Sequence, residues 1–273
     1  MFVKYRVIFI LIFMSSQIMF ANDADISTPF KYKNLSSLFF FSTGWVFGSA
    51  SPSFFNDYNK LFIINNNDNS ISNSNKDFKT TPELSIGLKF QLLQNYRFGI
   101  LIDYVKAYLN EGIYQSYKSY GIDQSRNLNE DISVNSFPIL LTAEYIPFDT
   151  QFRIYYGIGL GVVWSSTDWD EFVSSTNEYE QRTGGQLVLK NTIYPSFRIY
   201  AGTELGFDKT SSRAFLGSFI IEAGYTFIAR YINMFSEIAN QFDPKLSNGS
   251  TSYSVFPGFI GLNFGITFNV QNI

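Results

Sequence analysis

The chain has 273 residues, enough for one substantial domain. Its net charge of -3 lacks the basic character that nucleic-acid binding requires, so no nucleic-acid partner is expected. Cysteine is absent, which excludes disulfides and a lipoprotein anchor. Histidine is also absent, which excludes most metal sites and most Ser/His or Cys/His catalysis. Aromatic residues make up 19% of the chain and favour strands over helices.

Residues 1–21 have the pattern of a secretory signal peptide. Lys4 and Arg6 give a positive start, residues 7–14 form an apolar core, and Ala21 offers a processing end. The apolar run is well short of the ~20 residues of a spanning helix, which argues against the alternative of a transmembrane anchor. Residues 22–35 are then expected to be a short periplasmic segment.

Eight later segments alternate apolar and polar residues with a period of two, as strands do. Each is near or above the ~9–11 residues that a tilted strand needs to cross a bilayer. They lie at 37–48, 83–93, 97–109, 134–147, 152–164, 193–206, 214–228 and 256–270. Residues 36–273 are therefore predicted to form a β-barrel that spans a membrane with strands.

The segment 152–164 shows this pattern most clearly. One face is apolar and ends in Phe152 and Trp164, while the other carries Arg153, Tyr155 and three glycines. An apolar face with terminal aromatics suits lipid and its two interfaces, and a glycine-rich face suits a crowded interior. With the apolar faces turned inward, such strands would instead form a secreted lipocalin-like binder, but the glycines and charges of the opposite faces argue against this.

The connections between the segments alternate in length. They are short around 94–95, 149–150 and 209–212, and the connections after the first, third, fifth and seventh segments are long. Bacterial outer-membrane barrels have short periplasmic turns and long external loops in this order. An even number of strands also returns the C-terminus to the periplasm.

Three stretches carry a family resemblance: FPILLTAEYIPF at 137–148, RIYYGIGLGVVW at 153–164 and GFIGLNFGITFNV at 258–270. On these, the chain resembles the eight-stranded OmpA/OmpX-type barrels of the outer-membrane β-barrel domain family. It departs from them by ending in Gln271, Asn272 and Ile273, so Phe268 would have to supply the terminal aromatic assembly signal.

The resemblance implies an all-β, eight-stranded antiparallel barrel in the bacterial outer membrane. It further implies contact with outer-membrane lipid and lipopolysaccharide, insertion by the barrel assembly machinery and a monomeric state. An extracellular ligand would bind through the surface loops.

Seven charged residues share the inward parity and are predicted to form an interior polar network. They are Lys89, Asp103, Glu144, Arg153, Arg198, Glu204 and Glu222. The interior of eight strands is just wide enough for side chains to fill, so these charges would be desolvated and must be paired. The expected structure is a polar plug, with a gated narrow channel and a carboxylate-pair active site as alternatives.

Folding adjacent strands about their short turns predicts two carboxylate–arginine pairs within this network. The turn at 209–212 brings Arg198 near Glu222, and the turn at 149–150 brings Glu144 diagonally near Arg153. A carboxylate and a guanidinium across a ladder can pair bidentately.

The long connections contain further candidates. The third holds five acids, and such oxygen ligands could bind Ca²⁺. It lacks the glycine-punctuated spacing of a calcium loop, so a solvated acidic loop is expected. Residues 230–242 are either a short helix or a strand extension. The five acids are Asp168, Asp170, Glu171, Glu178 and Glu180.

A periodic tyrosine array lies in the second long connection, at Tyr114, Tyr117 and Tyr120. These tyrosines either form a contact surface or belong to strands that continue above the membrane.

No catalytic residue, cofactor or metal is predicted, and the chain is not expected to be an enzyme. The proteases, phospholipases, lipid A deacylases and lipid A palmitoyltransferases on similar barrels use a catalytic histidine, which this chain lacks. The predicted role is structural and interactive, through the surface loops. The alternative is a small porin or an OmpW-like conduit for small or hydrophobic solutes.

Overall fold

The computed structural model describes residues 36–48, 70–73, 79–93, 95–148, 151–176, 184–207, 217–229, 232–233, 252–253 and 256–269. The predicted signal peptide and the predicted periplasmic segment at 22–35 lie outside these ranges. Within them, no helix is long and apolar enough to cross a membrane.

The described residues form eleven strands in chain order. They are β1 (Ser36–Gly48), β2 (Ser70–Asn73), β3 (Thr81–Leu93), β4 (Tyr96–Ser119), β5 (Ile122–Tyr145), β6 (Phe152–Ser175), β7 (Gly184–Gly206), β8 (Gly217–Ile228), β9 (Ile232–Asn233), β10 (Ser252–Tyr253) and β11 (Gly258–Asn269). Eight of these strands, all except β2, β9 and β10, correspond one to one to the eight predicted segments.

These eight strands close into a ring. The antiparallel order is β4-β3-β1-β11-β8-β7-β6-β5, and pairing between β5 and β4 completes the circle. The register can be followed from Tyr96 of β4 through its paired residues on each strand in turn, and this path reaches Pro82 of β3. The β3–β4 register, extended by one residue, places Pro82 opposite Lys106. One circuit of the barrel therefore ends ten residues further along β4 than it began. Such a stagger corresponds to strands tilted about 40° from the barrel axis. The predicted eight-stranded antiparallel barrel is confirmed.

The outer face of the ring is apolar between two bands of aromatic residues. At one end Tyr96 and Tyr145 have ring centroids 5.3 Å apart. At the other end Phe137 lies 4.9 Å from Tyr104 and 5.6 Å from Trp164. The side chains between the bands are large, apolar and exposed. The lipocalin-like arrangement, with apolar faces inward, is therefore wrong.

Four strands continue beyond the Tyr104–Phe137–Trp164 band. Their continuations, 106–119, 122–136, 165–175 and 184–192, are called the extension, and the part of the ring below them is called the membrane segment. β4 and β5 meet in a two-residue turn, where Tyr120 and Gly121 have φ of 52° and 78°. Positive φ at both central residues is the geometry of a type I′ hairpin.

Several predicted loop features belong to the extension. Tyr114 is exposed on the outer face of β4, Tyr117 is buried on its inner face, and Tyr120 is in the turn, so the three tyrosines do not form one surface. In β6, Asp168 and Asp170 are exposed on the outer face, whereas Glu171 is buried inside. The part of 168–180 that is described is therefore largely strand. Glu178 and Glu180 lie outside the described residues.

Of the predicted helix or strand extension at 230–242, the structure describes only the two residues of β9. They pair antiparallel with β10. This short pairing follows β8 and precedes β11 in the chain.

Candidate functional site

The candidate site is the charged interior of the membrane segment. All seven predicted residues point inward and are at most 7% exposed; they are Lys89, Asp103, Glu144, Arg153, Arg198, Glu204 and Glu222. Two further charges, Glu83 and Arg97, are buried among them and were missed by sequence reasoning. Both share the parity of predicted residues on their own strands, Lys89 and Asp103. Extending the alternation to the first residue of each segment would have found them.

The lower layer of the network is built around Glu144 and Glu204. Lys89 Nζ lies 2.7 Å from Glu144 Oε1, and Arg97 Nε contacts Glu144 Oε2. The other side of the Arg97 guanidinium reaches Glu204, with Nη1 2.9 Å from Oε2. Arg97 therefore bridges two carboxylates that stand on different strands, β5 and β7.

The upper layer is built around Arg198. Its Nη1 lies 2.7 Å from Asp103 Oδ2 and 3.4 Å from Glu83 Oε1, and its Nη2 lies 2.9 Å from Glu222 Oε1. Lys89 Nζ is 3.9 Å from Glu222 Oε2 and so links the two layers. These contacts therefore connect charges from five strands, β3, β4, β5, β7 and β8, into one continuous network.

The pair of Arg198 and Glu222 expected from hairpin folding is present, and the two side chains are in contact. Glu144 contacts Lys89 and Arg97, while Arg153 stands directly opposite Glu204 in the β6–β7 register. The partners of Glu144 therefore come from β3 and β4, and the short turn between β5 and β6 could not have predicted either contact.

Hydroxyl groups satisfy more of the carboxylate oxygens. Tyr200 donates to Glu144 Oε1 at 2.9 Å, Tyr155 to Glu222 Oε2 at 3.1 Å, and Ser218 to Glu204 Oε1 at 2.6 Å. The cation of Lys89 also lies over aromatic rings, 4.5 Å from the centroid of Phe40 and 5.1 Å from that of Tyr155. Charged groups buried with this many partners recover much of their lost hydration.

The glycine-rich inner faces of β6 and β7 make room for the two tyrosines. A Cβ atom at Gly157 would lie 2.1 Å from Tyr200 Cζ, and one at Gly202 would lie 2.4 Å from Tyr155 Cζ. The two rings meet edge to face, with centroids 6.4 Å apart. The glycines are therefore required for aromatic side chains to fill the lumen beside the charges.

An apolar layer lies on the inner wall between the network and the extension. Its five members come from five strands and are at most 1% exposed: Val46, Val105, Val163, Ile228 and Phe259. Val105, Val163 and Ile228 lie beyond the charged network residues of their own strands, toward the extension, and Val46 and Phe259 lie at the same end of β1 and β11, which carry no charged residue. Buried apolar side chains also lie within the network, as a cluster of Phe40, Leu101, Leu140 and Ile220. Apolar side chains thus line the lumen both beside the charges and at the outer end of the membrane segment.

The inner face of the extension has a different composition. Apolar side chains flank a row of three glutamates, Glu111, Glu130 and Glu171, which are direct partners across β4, β5 and β6 and are at most 5% exposed. One apolar row, on the side of the membrane segment, is Leu109, Ile132 and Trp169, and the other, toward the hairpin turn, is Ile113, Leu128 and Val173.

Two possible chemistries can be compared with this geometry. In the described ranges, no group of three or more Asp or Glu side chains is placed to hold a metal ion. Each of the five network carboxylates has an ion-pair contact with arginine or lysine. Carboxylates held in this way neutralise cations rather than serve as a free acid and base.

No family model matches the chain, and no curated protein matches it. Solved structures are similar to it. One is the outer membrane protein OprG from Pseudomonas aeruginosa, with 12% identity, 86% of this chain and 98% of that chain covered, and a TM-score of 0.38. Neisserial surface protein A (NspA) has 10% identity, 84% and 96% coverage, and a TM-score of 0.39. The outer membrane protein AlkL has 13% identity, 91% and 96% coverage, and a TM-score of 0.33.

The membrane location follows from the backbone pairing and the outer face of the ring. A closed ladder leaves no unpaired edge in the membrane segment, and its outer face is apolar between two aromatic bands. This chain is a transmembrane β-barrel of the outer-membrane type. Closed antiparallel barrels with such bands are the architecture of bacterial outer-membrane proteins, and the barrel accordingly resides in that membrane, in contact with its lipid.

Proposed function

We propose that the barrel is a non-conducting, non-enzymatic scaffold of the outer membrane that presents its extension and surface loops to the environment. The observation that carries this proposal is the continuous ion-pair network across the lumen. Its four cations and five carboxylates, together with two tyrosines, occupy the space that a pore would need. The apolar layer beyond the network adds a second barrier to ions.

The interaction role is supported by the outer face of the extension. Tyr114, Phe172 and Val188 are large, apolar and between 49% and 64% exposed, although they lie beyond the aromatic band. Aromatic and apolar side chains on an otherwise polar surface are typical of contact sites. The occupant we propose is an extracellular ligand, bound by the extension and the loops that join its strands.

The same proposal covers the biogenesis of the barrel. Residues 1–21 act as the signal peptide, residues 22–35 remain in the periplasm, and the barrel assembly machinery inserts the rest as a monomer. Lipopolysaccharide surrounds the barrel at the level of the Tyr104–Phe137–Trp164 band. Support comes from the alternation of short and long connections and from the apolar outer face.

Planar-bilayer recording of the refolded protein tests the plug. Folding is verified first by faster migration on unheated than on heated SDS gels, and an open porin is measured in parallel as the positive control. The expected result is no steady single-channel step from the folded fraction. A steady conductance would contradict the plug and favour the small-porin or conduit function.

A further inference from the structure

Two exposed lysines lie on the outer face of the barrel just beyond the aromatic band. Lys106 follows Tyr104 by two residues on β4, so it shares the outer face and stands about 7 Å further along the strand. Lys79 lies beside it, because its backbone N–H donates to Tyr108 O at 2.7 Å. The ammonium group of Lys79 is 5.1 Å from the centroid of the Tyr108 ring, which places this cation on the same outer face. The two lysines are therefore neighbours at the membrane boundary.

The described part of the chain does not neutralise these two cations. Within the described ranges, neither Lys79 nor Lys106 forms an ion pair with a carboxylate. Asp131 belongs to β5, on the side of β4 away from Lys79, and its Oδ1 accepts hydrogen bonds from Tyr108 and Asn110. Two neighbouring positive charges repel each other, so an external anion between them is favourable.

The charge of the outer face differs between two sides of the barrel. On β5 and β6, the outer face beyond the band carries Asp131, Asp168 and Asp170. An anion at the membrane surface is repelled there and is attracted to the side of β3 and β4. The lysine pair is thus placed where the protein's field favours a negative group.

An apolar surface continues from the lysines into the membrane segment. Leu84 of β3 is the direct partner of Tyr104, and Ile86 and Leu88 follow Leu84 on the outer face of β3. All four side chains are exposed. Lysine stems extend along apolar surface and place their charge in the headgroup region. Cations above such a surface match an amphiphile with an anionic headgroup and acyl chains.

We propose that Lys79 and Lys106 bind the phosphate monoester of a lipid whose acyl chains lie along the exposed apolar face of β3. Diagonal neighbours on adjacent strands have Cβ atoms about 7–8 Å apart, so two flexible lysine side chains can contact one phosphate. A phosphate monoester carries about two negative charges at pH 8, which two lysines balance, whereas a phosphodiester carries less. The proposal rests on the proposed position of lipopolysaccharide at this band, and it specifies the lipid group that is held and the residues that hold it.

Native mass spectrometry of the folded barrel, released from neutral detergent, tests this site. The barrel is titrated with phosphatidic acid, phosphatidylglycerol or phosphatidylcholine of identical acyl chains, which present a phosphate monoester, a phosphodiester and a zwitterion. The expected result is one bound phosphatidic acid per barrel, with phosphatidylglycerol bound about fivefold more weakly and phosphatidylcholine more weakly still. Phosphatidylglycerol or phosphatidylcholine binding as tightly as phosphatidic acid would overturn the proposal.

Substitutions then locate the site. Lys79→Gln and Lys106→Gln should each raise the Kd for phosphatidic acid about fivefold, and the double variant about 25-fold, because each lysine near an anionic group contributes a similar attraction. Lys118→Gln removes another exposed lysine from the outer face of β4, near the hairpin turn, and should leave the Kd unchanged. All these exposed substitutions should leave folding intact in neutral detergent, as checked by migration on unheated SDS gels.

Inorganic phosphate is the competing ligand. At the same concentration as phosphatidic acid it should not displace the lipid, because it has no acyl chains; displacement would assign the lysines to free phosphate and contradict the lipid site. An unchanged Kd in the double variant, or an equal loss of binding in Lys118→Gln, would also overturn the proposal. Binding is measured on the outer wall and not in the lumen, so its failure leaves the proposed plug unaffected.

Discussion

The membrane segment and the extension are built from the same strands but differ in the composition of their outer faces. In the membrane segment, inward positions carry the charged network and outward positions are apolar. In the extension the inward parity is unchanged and carries apolar residues beside the buried charges Glu111, Arg126, Glu130 and Glu171; the apolar residues include Leu109, Ile113, Leu128, Ile132, Val134 and Trp169. The outward positions there are largely polar, and include Asn110, Asn129, Asp131, Ser133, Asp168 and Asp170.

The outer face changes from apolar to largely polar at Tyr104, Phe137 and Trp164, without any change in which face of the strand points inward. The medium outside the wall explains it, since lipid below the aromatic band selects apolar outer faces and water above it selects polar ones. This band is therefore the membrane boundary, and the substitutions proposed next change residues on one side of it or the other.

The largest effect is expected from breaking the interior network. Arg198→Ala leaves Asp103, Glu222 and Glu83 without their shared cation, and removal of one partner from a buried pair costs about 3–5 kcal/mol. A double-mutant cycle with Glu222→Ala should give a coupling of about 0.5–3 kcal/mol in urea unfolding. Lys106→Ala, an exposed cation of the extension, is the control and should stay within about 0.5 kcal/mol. A coupling near zero would indicate a wet, screened lumen.

A cation on the outer face should distinguish the two regions directly. Leu160→Arg places a charge among lipid chains in the middle of β6 and should destabilise the barrel by about 2–4 kcal/mol. Val188→Arg makes the equivalent change on β7 in the extension, where the side chain is 64% exposed, and should cost no more than about 0.5 kcal/mol. Both are measured as folded fraction in lipid vesicles across a urea series. An equal loss of stability in the two variants would show that the aromatic band is not the membrane boundary.

Packing beside the charges gives a smaller effect. Gly157→Ala places a methyl group 2.1 Å from Tyr200 Cζ, and overpacking of this kind costs about 1–3 kcal/mol. Gly159→Ala, two residues along the same face, would meet its nearest atoms at 3.4–3.5 Å, which is ordinary contact. Unfolding of the two variants should therefore differ, with Gly159→Ala the more stable. The reverse order would show that the lumen has room beside Tyr200.

The smallest effect is in the extension, where Tyr108 lies four residues beyond the aromatic band. Its hydroxyl donates to Asp131 Oδ1 at 3.1 Å, and this hydrogen bond to a carboxylate raises the pKa of Tyr108. The stabilisation is therefore complete below the ordinary tyrosine pKa and is lost as the pH rises through the raised value. Asp131→Ala should lower the Tyr108 pKa, measured by ultraviolet difference titration against a Tyr108→Phe blank. An unchanged titration would mean that the hydrogen bond does not form in solution.

Sequence reasoning located the barrel well because lipid imposes a strict alternation on every crossing strand. It made four strands too short at their outer ends, at 109, 134, 164 and 193, whereas β4 reaches Ser119, β5 begins at Ile122, β6 reaches Ser175 and β7 begins at Gly184. The reason is the change of the outer face at the aromatic band. Beyond it, the outward positions are largely polar, and the same strand no longer resembles one that faces lipid.

The interior partners were predictable only across short turns. Arg198 and Glu222 belong to strands joined by such a turn, so their proximity follows from hairpin folding. The contact between Arg198 and Asp103 joins β7 to β4, which are three strands apart, and it depends on the tilt of the strands and the width of the lumen. Neither quantity can be read from alternation alone.

The pairing of β1 with β11 has a consequence for how the barrel forms. The ring joins residues 36–48 to residues 258–269, so its last ladder spans nearly the whole chain. Contacts of such long sequence separation carry a large loop-closure entropy and form slowly. Until β11 is in place, β1 and β8 each present an unpaired edge that another chain could join. The final strand therefore sets the time during which an exported chain is vulnerable to aggregation.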